Sequence, residues 1–359
     1  MKAIRAAVCR EFGAPLSVEE VLLRAPQGSE VEVVVEAVAV CHSDISFAEG
    51  AWGGALPAVY GHEAAGRIAA VGPDVCGLAE GDRVIVTLIR ACGGCPSCAS
   101  GRPVHCEALA DEGPLSLPDG NPLTQAMACG AFAERVVVHQ SQVVPVADDV
   151  PAEAAALVAC GVITGVGAVV NAAGLRAGQD AVVIGAGGVG LNAIQGARVA
   201  GARRIVAVDM SEEKLSVAKE FGATDGVLAT VEAPWREARA ALGRGADAVL
   251  VTVGAIAAFD TAPRYLAPGG RVVMVGMPHL GEMASYEPVI MAATGQGVIG
   301  SKMGDVVPQR DIPWIVDLYR QGRLELDGLI SGRWSLDQIN EAIANTKSGA
   351  ARRNVIVFR

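Results

Sequence analysis

Residues 31–40 read VEVVVEAVAV, with apolar and charged positions nearly alternating over the first half, which predicts a strand with one buried face. Short β-rich runs fill residues 4–40, and from 41 to about 145 the chain is loop-rich, broken by Gly and Pro. Short apolar runs at 83–88 and 135–138 read as strands within it, so this part predicts an irregular, strand-built domain. Near residue 150 the period changes. PAEAAALVAC reads as a helix, AVVIG as a strand, then a glycine turn, the helix LNAIQGARVA and the strand RIVAVD. SEEKLSVAKEFG, AVLVTVG, AIAAFDTAPRYL and GRVVMVG continue the alternation of helix and strand. That order predicts a parallel, doubly wound α/β sheet. Beyond about residue 300 come two helices, IPWIVDLYRQG and SLDQINEAIANTKSG, and a last strand, NVIVF. There is no internal repeat and no low-complexity tract.

Composition narrows this picture. With 359 residues, 51% of them apolar and 19% charged, the chain can bury two domain cores. Its 44 glycines suit tight turns and close packing of small residues. No apolar run reaches the roughly 18 residues of a membrane span, and MKAIRAAVCREFG lacks the apolar stretch of a signal peptide. A cytoplasmic location is therefore expected. The net charge of −10 works against a nucleic-acid partner, and the one basic cluster, Arg352, Arg353 and Arg359, is too small for a duplex footprint. Nine cysteines without a secretion signal point to metal ligands rather than disulfides.

Gly185, Gly187, Gly188, Val189 and Gly190 lie in a GxGxxG pattern that follows a strand and opens a helix. Glycines there allow a tight turn and bring backbone N–H groups close to a pyrophosphate at the helix N-terminus. Asp209 ends the next strand, roughly 20 residues on, where a carboxylate accepts the ribose hydroxyls of NAD and repels the 2′-phosphate of NADP. The ordinary alternative for Asp209 is an N-cap of the helix that starts near Ser211. The strand–turn–helix–strand context favours NAD.

Cys92, Cys95, Cys98 and Cys106 read C-x2-C-x2-C-x7-C, and four thiolates so close together match a closed, tetrahedral structural zinc site. A disulfide or an iron–sulfur cluster is the alternative, although ferredoxin-type spacings differ. A second set is scattered: Cys41 after the long strand, His62 in Gly61-His62-Glu63, and Cys160 before Gly161. Three mixed nitrogen and sulfur ligands suit a catalytic zinc with an open position. Spacing alone does not separate this from a core histidine and a buried apolar cysteine.

Cys41-His42-Ser43-Asp44, Gly61-His62-Glu63, the four-cysteine segment, CGVITGVGAVV, VVIGAGGVG and IVAVD occur in that order, and SGAARRNVIVF closes the chain. Together they resemble the zinc-dependent medium-chain dehydrogenase/reductase family, specifically its alcohol dehydrogenases, over essentially the whole chain. The resemblance implies a GroES-like β-rich catalytic domain over 1–160 and 301–359, and a Rossmann domain over 161–300. It implies reversible hydride transfer between an alcohol and an aldehyde or ketone with NAD(H), two zinc ions per chain, and a homodimer or homotetramer. Cys41, His62 and Cys160 would bind the catalytic zinc, with Glu63 as a nearby or transient ligand and Asp44 orienting His62. Ser43 would receive the substrate proton. Thr164, Val275 and Met277 would line the nicotinamide, Lys214 would reach the adenosine ribose, and His42 and Arg353 would reach the pyrophosphate. Many relatives carry a histidine three residues after the relay hydroxyl. This chain has Ser46, so water is expected to complete that relay.

Two neighbouring activities compete. SLPDG and the NAA after GAVV are similar to S-(hydroxymethyl)glutathione-type formaldehyde dehydrogenases, but the segment between Cys106 and Phe132 is shorter than in those enzymes. Polyol dehydrogenases often place a glutamate where this chain has Cys160. A non-catalytic protein on the same fold would be expected to lose Cys41, His62 or Ser43, and all three are present. Read against the family's pocket positions, Trp52 and Leu88 predict an apolar substrate cleft. Lys302 in GSKMG is either a surface lysine, a partner of Asp305, or a cation near that cleft. Cys9, Cys76, Cys129, His105 and His139 are expected to be structural.

Overall fold

The computed structural model describes residues 1–108, 113–349 and 351–358. The chain forms two compact units, one of residues 1–160, 307–322 and 326–359, the other of 161–306 and 323–325. The return to the first unit therefore falls after residue 306 rather than at 301. Segment 301–306 stays with the second unit because Ser301 N still donates to the Met274 carbonyl, at 2.9 Å. Gly304, in the left-handed region at φ 69°, then lies so close to the helix Ile163–Gly167 that a Cβ would come within 2.4 Å of the Ile163 carbonyl.

The first unit is built from two sheets. A five-stranded sheet is ordered Leu115–Ser116, Ser17–Leu23, Lys2–Cys9, Ala58–Val59, Thr124–Gln125. A seven-stranded sheet runs Val143–Pro145, Arg83–Thr87, Glu63–Val71, Glu30–Val40, Arg353–Val357, Ile330–Trp334, with Arg135–His139 also paired to Glu30–Val40. The alternating valines of Glu30–Val40 explain its central place. Val31, Val33, Val35, Val38 and Val40 enter one apolar core with Phe132, Val136 and Leu23. The last strand, Arg353–Val357, pairs antiparallel with the far end of Glu30–Val40, Asn354 opposite Val40.

The second unit holds a six-stranded parallel sheet. Numbered along this unit, its strands lie in the order three, two, one, four, five, six, from Asp225–Leu228 to the edge strand Gly297–Gly300. The order reverses beside the first strand, Asp180–Ile184, and a crevice for a ligand opens at such a reversal. The inner strands Asp180–Ile184 and Ala246–Val251 read as nearly continuous apolar runs, as buried parallel strands do.

The apolar segment near residue 160 corrects one expectation. Helical turns run without a break from Ala152 to Ala173, 22 residues of mean hydropathy 2.0, long and apolar enough to cross a membrane. An 18-residue window of that stretch is 89% buried inside the protein, as a core helix is. The scattered Gly, Thr and Glu along it hid the continuous helix from a count of uninterrupted apolar residues.

Candidate active site and metal centres

Helix His42–Ala48 begins at Cys41, whose extended backbone makes it the N-cap. Asp44 in the first turn is 1% exposed, and its carboxylate accepts from Cys41 N at 3.1 Å and from Gly61 N at 2.9 Å. The same carboxylate meets His62 Nδ1 at 2.9 Å. Asp44 therefore ties two separate segments together and leaves His62 Nε2 as the outward atom. Gly61 sits in the left-handed region at φ 91°, where a Cβ would come 2.6 Å from Phe132 N. Only glycine lets the chain reach His62 at that depth. Cys160 comes from a third element, a wide helical turn over Val158–Val162. Such turns recur at functional positions.

The ligand atoms of Cys41, His62, Glu63 and Cys160 lie within 4.8 Å of one another, and all four residues are buried. His62 Nε2 is buried without a hydrogen-bond partner. A neutral imidazole nitrogen, two sulfurs and a nearby carboxylate form a donor set that suits zinc, and the Asp44 contact supplies the orientation a ligating histidine needs. The electrostatics agree. A hydrogen bond from Cys160 holds the Cys41 thiol well below its ordinary value against the cost of burial, with His62 adding to it. Burial pulls the His62 imidazole down, but the Asp44 carboxylate more than offsets this and raises it well above its ordinary value.

Arg353 is the main surprise. It is 6% exposed, and its guanidinium pairs with the Glu63 carboxylate inside this cluster. It does not belong to a surface basic patch with Arg352, and Arg359 lies outside the described residues. Burial pushes the Glu63 carboxyl up to about 7, with the Arg353 charge working against it. No local pattern joins residues 63 and 353; the last strand's pairing beside Cys41 brings them together. Ser43 and Ser46 are half-buried on the His42–Ala48 helix, and His42 is exposed. Phe47 on the same helix meets Trp52 edge-on, with ring centroids 4.9 Å apart, and stacks on Tyr60. Leu88 is half-buried just beyond the strand Arg83–Thr87.

The four-cysteine segment forms its own cluster, with the sulfurs of Cys92, Cys95, Cys98 and Cys106 within 4.8 Å of one another and no disulfide among them. Cys95 caps the short helix Pro96–Ala99. Backbone N–H groups point at sulfur: Cys95 N to Cys92 Sγ at 3.3 Å, Cys98 N to Cys95 Sγ at 3.4 Å, and Cys92 N to Cys106 Sγ at 3.3 Å. The N–H of Glu107, and then that of Cys98, lower the Cys95 thiol to about 6. Four sulfurs gathered in one closed group, with backbone donors pointing at three of them, fit a structural zinc. Among the other cysteines and histidines, Cys129 is buried with its thiol pushed up by burial, and His139 caps the turn Gln140–Gln142 through Ser141 N.

In the second unit the glycine loop leads from the strand Asp180–Ile184 into the helix Gly188–Val199. Its N-cap, Gly187, offers no side-chain acceptor, so the first N–H groups stay available to an anion. A Cβ on Gly190 would lie 1.8 Å from the Gly185 carbonyl, whereas a Cβ on Gly187 meets nothing within 4 Å and would fill open space. One glycine is needed for closure and the other leaves room for a phosphate. Asp209 accepts from Ala186 N at 2.8 Å and Ser211 N at 3.1 Å. Ser211, not Asp209, caps the helix Glu212–Glu220, which carries Lys214 in its first turn. This loop and its acidic neighbour fit a nicotinamide dinucleotide. Thr164 is buried, with its hydroxyl 3.8 Å from Met303 Sδ, Val275 is half-buried, and Met277 and Lys302 are exposed.

Comparison with known proteins agrees with both halves. Residues 27–148 match the alcohol dehydrogenase GroES-like domain, and 188–321 match the zinc-binding dehydrogenase domain. An NDMA-dependent alcohol dehydrogenase of Amycolatopsis methanolica is 36% identical, over 98% of each chain. A geraniol dehydrogenase of Castellaniella defragrans is also 36% identical, over 99% of this chain and 97% of its own. The benzyl alcohol dehydrogenase of Acinetobacter calcoaceticus superposes with a TM-score of 0.94 at 32% identity, covering 100% of both chains. With its buried sulfur–imidazole cluster, its four-cysteine group and its glycine loop, the chain belongs to the zinc-dependent alcohol dehydrogenases of the medium-chain family, oxidoreductases that use zinc and a nicotinamide cofactor.

Proposed function

We propose that this enzyme interconverts apolar primary alcohols and their aldehydes with NAD(H), the chemistry resting on Cys41, His62 and Cys160. The observation that carries this is the convergence of those three buried residues, with His62 Nε2 unpartnered and Nδ1 fixed by Asp44. Zinc bound there supplies Lewis-acid polarisation of a substrate oxygen, and the dinucleotide supplies the hydride acceptor. Asp44 keeps the His62 ring in one orientation. Ser43 accepts the proton that leaves the alcohol, and with Ser46 downstream in place of a histidine, solvent takes it on. Glu63, shared with Arg353, is a carboxylate held close enough to exchange partners. The four cysteines of the lobe hold a second zinc that has no part in the reaction. His42 and Arg353 are assigned to the pyrophosphate, Lys214 and Asp209 to the adenosine ribose, and Thr164, Val275 and Met277 to the nicotinamide.

An apolar cleft follows from Trp52 and Leu88, and two relatives named for benzyl alcohol and geraniol act on apolar-bodied alcohols. Each methylene that enters such a cleft contributes about 0.8 kcal/mol, so kcat/KM is expected to rise by up to about 4-fold per carbon from ethanol towards hexanol. Benzyl alcohol should rank with the longest of them. The panel should include the glutathione–formaldehyde adduct, because a strong preference for it would replace this substrate class with the formaldehyde-dehydrogenase one. A flat series, with a carboxylated alcohol preferred until Lys302→Ala removes the preference, would overturn the apolar cleft.

NAD rather than NADP is assigned from Asp209. Asp209→Gly should weaken NAD use and improve the NADP-to-NAD ratio by removing the charge that repels a 2′-phosphate. Wild-type kcat/KM as high with NADP as with NAD would contradict that role. A homodimer or homotetramer is supported by exposed Leu280, Met283, Val289 and Ile290, which precede the edge strand Gly297–Gly300. The cytoplasm is the proposed location, the one span-like helix among the described residues being a buried core element.

A further inference from the structure

Parallel strands Leu266–Met274 and Gly297–Gly300 end in register, Met274 opposite Gly300. The ladder continues one step, because Ser301 N donates to the Met274 carbonyl at 2.9 Å, which sets Ser301 beside Val275. Val272 and Met274 pack into the apolar core that the helices Pro234–Leu242 and Ile256–Thr261 cover on one face of the sheet. Side chains alternate along a strand, so Val275 and Ser301 lie on the other face. The helices Gly188–Val199 and Ile163–Gly167 pack together outside that core. Ser301 is only 9% exposed, and its hydroxyl has no hydrogen-bond partner. Burying a hydroxyl unpaired is costly, so a native chain rarely keeps one without use.

The place of this hydroxyl matters. A dinucleotide lies across the C-terminal ends of a doubly wound sheet, its halves on either side of the reversal in strand order. Asp209 ends the second strand and fixes the adenosine side. The nicotinamide side then falls over the ends of Ala246–Val251, Leu266–Met274 and Gly297–Gly300, where Ser301 stands. Just after it, Met303, Gly304 and Asp305 all adopt positive φ, which turns the chain back onto the Ile163–Gly167 helix and sets Met303 Sδ against the Thr164 hydroxyl. Thr164 and Ser301 thus flank one turn. The carboxamide is the only hydrogen-bonding substituent of a nicotinamide ring, and a hydroxyl can donate to its oxygen or accept from its nitrogen.

We propose that Ser301 Oγ hydrogen-bonds the nicotinamide carboxamide and fixes the rotation of the ring. The assignment rests on the dinucleotide reading of the glycine loop. Its test compares zinc-loaded wild type with Ser301→Ala, titrated calorimetrically with NADH and, separately, with ADP-ribose, which lacks the ring. Loss of one hydrogen bond of ordinary net strength should weaken NADH by roughly 3- to 10-fold and leave ADP-ribose unchanged. Equal weakening of both ligands would mean a general disturbance of the sheet end, and no change in either would mean the hydroxyl does not touch the cofactor. Both results overturn the proposal. Failure of wild type to bind either ligand would instead overturn the dinucleotide site itself.

Discussion

His62→Ala is expected to abolish alcohol turnover while the protein still folds, keeps its four-cysteine zinc and binds NADH. The imidazole offers the cluster a buried nitrogen without a hydrogen-bond partner, and its removal leaves Asp44 with its bonds from Cys41 N and Gly61 N intact. The two segments that Asp44 joins therefore stay joined. Cys41→Ser should act alike on turnover. Cys98→Ser should behave differently, because a structural zinc contributes folding free energy. It should lower the melting temperature and loosen the lobe, with the folded fraction keeping NADH binding. A His62→Ala protein that turns over alcohol at wild-type rates would remove the buried cluster from the chemistry.

Ser43→Ala should lower kcat by roughly 10²-fold or more, the scale of a positioned proton-transfer group. Ser46→Ala, on the same helix, should cost much less. KM for the alcohol should change little in either variant, since the hydroxyl is assigned to proton transfer rather than to binding. Equal and severe losses from both substitutions would place Ser46 in the relay as well.

What the sequence disclosed depended on how local each constraint is. The glycine loop is legible because the clash that demands Gly190 lies inside the loop, against the Gly185 carbonyl. The four-cysteine cluster is legible for the same reason, its sulfurs coming from one short segment. Cys41, His62 and Cys160 come from three elements, and their meeting depends on the register of Glu30–Val40 with Glu63–Val71 and on the wide turn at Val158–Val162. Their residue types suggested a set, spacing alone left it open, and the resemblance decided for it. The Glu63–Arg353 pair had no signal at all, because it forms through the last strand's pairing with a strand more than 300 residues away. Short strands such as Asp225–Leu228 and Gly297–Gly300 escaped notice because glycine interrupts their apolar pattern.

The most direct test is a zinc count by elemental analysis, paired with turnover, on wild type, Cys41→Ser and Cys98→Ser. Two zinc ions per wild-type chain are expected, falling to about one in each variant, with turnover abolished in Cys41→Ser even where the chain is folded. One zinc per wild-type chain, iron in place of zinc, or full turnover in Cys41→Ser would contradict the two-centre account.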